Sequence, residues 1–415
     1  MIVIGAGAAG LAAAAALVRA GRSVLVLEAR ERVGGRCWTR RMPGLDIPVE
    51  LGAEFIHGEA ASTRALLAEA GIAAVDSTRE QRYLERGRLR RMNAFAEAQR
   101  AVAHVPPLKR DIAFAALLAR TRLNRKTKTF ARMMVQGFDA ADPARVSARS
   151  ILEEWGEGGS LGASQPRPQG GYGALFDWLA HSAVAHGARL QLDSPVREVQ
   201  WKRGVALVRG TSFGGSFAFR GRQAIVTLPL GVLQSKAVRF SPSLEKGDAL
   251  GKLASGPVIR VAMRFHRSFW EARAPGTAFF HIPEAAFPTF WTPLPLRAAL
   301  LTAWAGGPKA ARLTGSSRDV LVARAVQAVA AVFGKEAEEQ LASALVQDWQ
   351  ADPCSRGGYS YVLVRGMGAR ERLAQSLGDT LFFAGEATDT DEAGTVAGAL
   401  RSGERAAREV LKKGV

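Results

Sequence analysis

The chain has 415 residues, 47% of them hydrophobic, with Lys and Arg exceeding Asp and Glu to give a formal charge of +18. A chain of this size and apolar content buries a large core over two or three domains, which excludes a disordered or low-complexity protein. Cys37 and Cys354 are too few for a disulfide framework or a cysteine-based metal site, a usage that suits a reducing cytoplasm.

Residues Val3–Glu28 read VIGAGAAGLAAAAALVRAGRSVLVLE. Met1 to Ile4 predicts a strand, Ala8 to Arg19 a helix and Ser23 to Leu27 a second strand, with Gly5, Gly7 and Gly10 at GxGxxG spacing. The first glycine permits a tight turn, the second lets backbone approach a pyrophosphate, and the third lets helix and strand pack closely. The helix N-terminus offers N–H groups and partial positive charge to phosphates. Glu28 stands about 20 residues on, where an acidic side chain accepts from a ribose 2′-OH. Its charge would repel a 2′-phosphate, so NADP fits poorly while NAD and FAD both remain open. The first eighteen residues carry no charge, yet they lack a basic leading region and are rich in Gly and Ala. A nucleotide-binding turn is therefore favoured over a signal peptide or membrane span. The brevity of the first strand points to a native start a few residues upstream.

Residues 1–75 read as this βαβ unit plus a loop. Residues 76–165 read as mostly helical, with apolar residues at three- and four-residue steps in MNAFAEAQRAVAHV, IAFAALLARTRL and ARMMVQGFDA, closed by GASQPRPQGGYG. Residues 166–244 give a helix, LFDWLAHSAVAHG, then short strands that return to the nucleotide sheet. Strands VIRVAMRF and ALLTAWAG and the helix RDVLVARAVQAVAAVFG make 245–345 a second visit to another domain. Residues 346–415 are strand, loop and amphipathic helix. Much of the basic excess falls between Arg79 and Arg132, where Tyr83, Phe95, Phe114 and Phe130 are scattered. The aromatic interleaving of a single-strand groove is absent, so this run reads as solvated surface and nucleic acid is not the expected partner. His104, His181, His186, His266 and His281 show no ligand spacing and read as incidental, and no metal site is expected.

Several segments, in order, resemble the flavin-containing amine oxidases, a family that includes monoamine oxidases, polyamine oxidases and flavin-dependent lysine-specific histone demethylases. They are VLVLEARERVGGR, VELGAEFIHG, PQGGYGALFDWLA, AIVTLPLGVL, WQADPCSRGGYSYV and LFFAGEATDTDEAGTVAGALRSGERAA. The FIHG ending is most similar to polyamine oxidases, and residues 76–145 carry least of the likeness. The resemblance implies an α/β fold in which a Rossmann-like FAD-binding domain (1–75, 166–244, 346–415) is interleaved with an α+β substrate domain (76–165, 245–345).

It also implies FAD. Gly5, Gly7, Gly10, Glu28, Arg30, Gly35 and Arg36 would hold adenosine and pyrophosphate, and Val196 would meet the adenine through its backbone. Ala53, Glu54 and Phe55 would run beside the ring system, Glu54 with its backbone. Glu386 would bind ribityl or phosphate-side groups, and Thr395 and Val396 would lie at the pyrimidine. Monoamine oxidases tether flavin through a cysteine before the cage tyrosine. Here that place is Gly358, with Cys354 four residues too early, so FAD is expected to be non-covalent.

The implied reaction passes hydride from the carbon next to nitrogen to flavin N5, water hydrolyses the imine, and dioxygen reoxidises the flavin to give hydrogen peroxide. Tyr359 matches the family's cage tyrosine, Trp349 a supporting tryptophan, and His57 an active-site residue facing the substrate. Arg260 occupies the place of a lysine that holds water at N5. A guanidinium keeps its proton, so Arg260 anchors water or attracts a substrate carboxylate but is no base. The expected partners are a small amine, a polyamine among the candidates, and dioxygen. The alternatives are an amino-acid oxidase or desaturase on the same fold, or a flavoprotein of little turnover that serves as a binding protein.

Overall fold

The computed structural model describes residues 1–78, 80–103, 105–156 and 165–413, so Arg79, His104 and the start of the GASQPRPQGGYG segment lie outside the described residues. The fold is organised by close backbone contacts at small residues. A Cβ on Gly10 would sit 1.9 Å from the Gly5 carbonyl oxygen. Helix Ala8–Arg19 therefore rests directly on the strand Ile2–Ile4 that feeds it. On its other side the final helix, Val396–Lys413, crosses at Gly403, where a Cβ would lie 2.1 Å from the Ala9 carbonyl oxygen. These contacts bury nearly all of the first helix, which accounts for its alanines and for the lack of charge before Arg19.

Strands from the beginning, middle and end of the chain build a five-stranded sheet in the order Leu381–Phe383, Ala224–Val226, Ile2–Ile4, Leu25–Leu27, Arg189–Gln191. Every neighbouring pair is parallel. Alternate residues face opposite sides. Val3, Val26, Ile225 and Phe382 pack on the helices Ala8–Arg19, Gly171–Ala185 and Val396–Lys413. Ile4, Leu27, Val226 and Phe383 pack on a second, four-stranded sheet. That sheet corrects the sequence reading of 166–244. Val196–Lys202 and Val205–Ser212 leave the parallel sheet and pair with each other, with Gly215–Gly221 and with Arg239–Ser241. The Gly- and Ser-rich strand Gly215–Gly221 carried little apolar signal.

A seven-stranded sheet runs Leu341–Asp348, Val258–Phe265, Leu300–Gly306, Thr289–Trp291, Phe279–His281, Gln81–Glu85, Arg88–Met92. Its last two strands correct the mostly helical reading of 76–165. They form a hairpin over Arg86 and Gly87, whose φ values of 49° and 75° are those of a type I′ turn. The run RGRLRRM is thus the outermost strand of a sheet, where charge discourages pairing with another chain. Beyond it, helices Ala94–Val102, Arg125–Gly137 and Ala148–Trp155 start at Asn93, Asn124 and Ser147, whose side chains accept from the first turn. Tyr83, Phe114 and Phe130 are buried in the core between these elements. No helix among the described residues is long and apolar enough to cross a membrane.

Overpacking the tightest of these contacts is costly. Gly10→Ala is expected to destabilise the protein by about 1–3 kcal/mol in urea unfolding, because the obstacle is backbone. The control Gly251→Ala, at a site where a Cβ would meet nothing within 4 Å, should stay within about 0.5 kcal/mol of the parent.

Candidate active site

One cavity of about 1320 Å³ runs from the glycine turn to the seven-stranded sheet. That exceeds the roughly 300–1,000 Å³ of a single small-ligand pocket, leaving room for a dinucleotide and a substrate together. Of the residues singled out from the sequence, all but Gly10 line it. Gly10 is spent on the helix–strand contact.

At one end, helix Ala8–Arg19 begins at Gly7 with no side-chain cap, so its first N–H groups are left free for a ligand in the cavity. A Cβ on Gly35 would come within 3.3 Å of the Gly7 Cα. The two glycines therefore make a bare backbone cradle. Glu28, 4% exposed, is fixed there by accepting from the Ala6 N–H at 2.7 Å and the Arg30 N–H at 3.0 Å. Its carboxylate keeps lone pairs for a further donor. Arg30 also lines the cavity. Its guanidinium is engaged by Asp352 at 2.6 Å and Ser355 at 2.9 Å, tying the turn to the 352–355 loop.

Arg36 donates to the Gly358 carbonyl and to Glu386 at 3.0 Å. Burial opposes ionisation of Glu386, but Arg36 and Arg370 hold its carboxyl below the ordinary value. Val196 lines the cavity beside the bulge that opens its strand. The Thr395 hydroxyl accepts from the Gly398 N–H at 3.0 Å and donates to the Glu392 carbonyl at 2.6 Å. It caps the last helix, which leaves backbone for a ring at Thr395 and Val396.

At the other end, Arg260 sits inside strand Val258–Phe265 and is 1% exposed. It donates to the Gly52 carbonyl at 2.7 Å, ion-pairs with Glu54 and lies 5.0 Å over the Trp291 ring, while its Nε–H has no partner. Glu54 also takes Arg167 at 2.6 Å and the Trp291 indole at 2.9 Å. Burial works against its charge, but Arg260 and Arg167 together lower its pKa. Arg167 is completed by the Leu294 and Thr292 carbonyls at 2.8 and 3.1 Å and stacks on Phe55. The cluster holds two guanidiniums and one carboxylate.

His57 is half-buried with Nδ1 buried and unpartnered, and burial pushes its pKa down to about 4, so the imidazole is neutral. Its ring meets Phe138 edge-on at 5.2 Å. Tyr359 donates its hydroxyl to the Phe138 carbonyl, and burial drives the phenol pKa well up. Trp349 is buried and donates to the Leu51 carbonyl at 2.9 Å. Phe279, Trp291 and Trp304 complete the aromatic wall, with ring centroids of 5.7 Å between Trp291 and Trp304.

The sequence reading missed these three and Arg167. The only signal was aromatics on one face of short strands. It also misjudged His281, which is buried in the cavity wall against Gln81 at 3.2 Å, its pKa pushed down to about 4 by burial. His181, His186 and His266 are exposed. Asp139, just after helix Arg125–Gly137, and Glu154, on helix Ala148–Trp155, also line the cavity. Burial, then the facing Glu154 carboxyl, raises the pKa of Asp139, and burial raises that of Glu154.

A Gly-turn dinucleotide fold joined to a dry aromatic chamber defines an oxidoreductase-type site. The chain belongs to the flavin-containing amine oxidoreductase family, whose sequence profile matches residues 8–411. It is 28% identical to human lysine-specific histone demethylase 2, over 99% of this chain and 53% of that protein. To polyamine oxidase 4 of Oryza sativa subsp. japonica it is 27% identical, over 100% of this chain and 88% of that protein. The chain spans about half the length of the first curated relatives it matches. Its fold is that of putrescine oxidase solved with putrescine, with a TM-score of 0.82 at 22% identity over 99% and 98% of the two chains. Cyclohexylamine oxidase from Brevibacterium oxydans IH-35A gives the same score and coverage.

Two expectations follow from these buried groups. Glu54→Gln would leave Arg260 without its counter-charge, at a cost of about 3 kcal/mol in denaturant unfolding. His57 and His281 titrate from 6.5 when unfolded and from about 4 when folded. The unfolded chain alone binds these protons between those values, so their contribution is complete above pH 6.5 and is lost as pH falls toward 4. The loss is about 3 kcal/mol for each histidine. A His57→Gln, His281→Gln double variant should show a flatter stability profile across this range.

Proposed function

We propose that the chain is an FAD-dependent oxidase of amines. One observation carries the reading: a single cavity links the bare cradle at Gly7 and Gly35 to the chamber of Phe55, His57, Trp349 and Tyr359, with Arg260 in its wall. FAD fits the donor set. Backbone at Gly5, Gly7 and Gly35 and the helix start suit the pyrophosphate, Glu28 the ribose and Val196 the adenine. Arg36 and Glu386 suit the phosphate-side and ribityl groups, Ala53 and Phe55 the length of the ring, and Thr395 with Val396 its pyrimidine. The FAD-binding segments would be 1–75, 166–244 and 346–415, with 76–165 and 245–345 serving the substrate. Non-covalent binding is supported at Gly358, where even a Cβ would meet Val258 at 2.6 Å, so a tethering cysteine has no space.

Bound FAD supplies the hydride acceptor at N5 and, by reaction with dioxygen, returns to its oxidised form with release of hydrogen peroxide. The chain's own residues orient a neutral amine. The chamber desolvates an ammonium, which lowers the pKa of a bound amine. His57, neutral with Nδ1 free, offers the amine a hydrogen-bond acceptor, while its pKa near 4 makes it a poor base. The unpartnered Nε–H of Arg260 holds a water or a ring atom. Because Glu54 already occupies this guanidinium, a substrate carboxylate has to displace it, which favours amines over amino acids. The similarity to polyamine oxidase 4 supports a polyamine substrate, with water completing hydrolysis of the imine.

Purified protein should be yellow, acid precipitation should leave the colour in the supernatant, and amines should bleach it anaerobically. Peroxide should appear on admission of air. Bleaching by amino acids and by no amine would sink the proposal, and colour in the pellet would refute non-covalent binding. His57→Ala should slow bleaching by about 5–10-fold, the loss of one hydrogen bond, while FAD stays bound.

A further inference from the structure

We infer that Glu50 is a positioning residue: its buried carboxyl fastens the start of helix Gly171–Ala185 to the strand that leads into the cavity wall Gly52–His57, and so fixes where that wall stands. Its bearing on a flavin ring rests on the amine-oxidase reading.

Glu50 is 6% exposed and lies behind the cavity lining rather than in it. It ends strand Val49–Glu50 opposite Thr39. Its Oε1 accepts from the Tyr172 N–H at 2.6 Å and the Thr39 hydroxyl at 2.9 Å, and that hydroxyl accepts from the Gly173 N–H at 2.8 Å. Helix Gly171–Ala185 has no side-chain cap of its own at Gly170. Two of its orphan N–H groups are therefore met by a distant strand pair, with a carboxylate at the positive end of the helix. The glycines of QGGYG make room for this. A Cβ on Gly171, at φ 81°, would lie 2.5 Å from Glu50 Oε1, and one on Gly173 would lie 2.9 Å from the Thr39 Cβ.

The two segments then run side by side. Arg167 holds Glu54 at 2.6 Å, the Pro166 carbonyl accepts from the Ile56 N–H at 2.8 Å, and the Tyr172 hydroxyl reaches the Phe55 carbonyl at 3.4 Å. Elsewhere along the wall the Leu51 carbonyl takes Trp349 and the Gly52 carbonyl takes Arg260. A proton alters the hold of Glu50 near neutral pH. Its Oε2 is buried without a partner, and burial pushes its pKa up to about 7 against the pull of the Tyr172 N–H, Thr39 and Arg260. The titratable and charged groups that face it are Arg260, Glu54, Cys37 and Tyr172. Burial drives up the pKa of Cys37 and Tyr172, which stay neutral at pH 7, while Glu54, against its burial, is held ionised by Arg260 and Arg167. Crossing pH 7 thus changes the charge of Glu50 alone in this group. Above that pH the helix start is held by charge-assisted bonds, below it by a neutral acid.

The test takes the flavin-loaded protein with its Glu50→Gln and Glu50→Leu variants. The first substitution keeps an acceptor for Tyr172 and Thr39 without the charge; the second keeps neither. The infrared difference between about pH 6 and about pH 8 should show a protonated-carboxyl carbonyl band in the parent that Glu50→Gln lacks. At the lower pH, Glu50→Gln should match the parent in flavin absorbance and in the limiting rate of anaerobic bleaching by 1,4-diaminobutane. Glu50→Leu should shift the flavin spectrum and bleach at least about tenfold more slowly. Melting temperature reports folding, and if Glu50→Leu does not fold, Glu50→Asp, with its carboxyl drawn back by one methylene, takes its place. A parent without the band, a band that survives Glu50→Gln, or a folded Glu50→Leu or Glu50→Asp protein that bleaches as the parent does overturns the assignment. Failure of the amine to bleach any of these proteins overturns instead the amine-oxidase reading, and the band and the flavin spectrum still decide for Glu50.

Discussion

The contact between the first and last helices, with no side chain between Gly403 and the Ala9 carbonyl, sets the geometry of everything else in the cavity. It brings two helix starts, at Gly7 and at Thr395, into the wall of one space. A larger residue at either contact would move these starts apart by roughly the width of a side chain, and a cradle built from backbone has no rotamers with which to follow. The same constraint makes the parallel sheet a late product of the chain. Ile2–Ile4 has Leu25–Leu27 as a local partner, but its other edge waits for Ala224–Val226, and that strand for Leu381–Phe383. Such non-local pairing is slow to form and couples the glycine turn to the far end of the sequence.

The Arg260–Glu54–Arg167 cluster ties the loop after Gly52 to the seven-stranded sheet and to the segment before the Gly171 helix. Buried ion pairs of this kind contribute little net stability, because desolvation offsets attraction and a well-packed apolar set often does as well. What an apolar replacement would not supply is a field. On the proposed reading that field is what distinguishes an amine from its conjugate acid inside the chamber.

Local backbone requirements were legible in the sequence. GxGxxG spacing dictates a turn, and the helix Ala8–Arg19 and the strands around it stand where the pattern put them to within two residues. Segment motifs also singled out residues that line the cavity, from Glu28 through Tyr359 to Val396. Pairings across large sequence separations were not legible. Nothing near Glu54 points to Arg167 or Trp291, since each lies on a different element and the contact exists only after folding. The hairpin Gln81–Met92 was hidden for another reason: its arginines face solvent at a sheet edge, so the alternation that marks a strand is buried Gln81 and Tyr83 against charge rather than a run of apolar residues.

The excess of basic residues belongs to the outside, and it acts against the proposed substrate. A strongly positive protein repels cations at a distance and slows their approach, an effect that salt screens beyond about 8–10 Å. Within that distance local charge decides. Glu153, Glu154, Glu371 and Asp139 stand together in one part of the cavity lining. Burial raises the pKa of Asp139, Glu154 and Glu153, so the charge of this part of the lining is smaller than its count of carboxyls. The overall charge of the chain and the charge preference of its cavity are in this way separate properties, set by different residues.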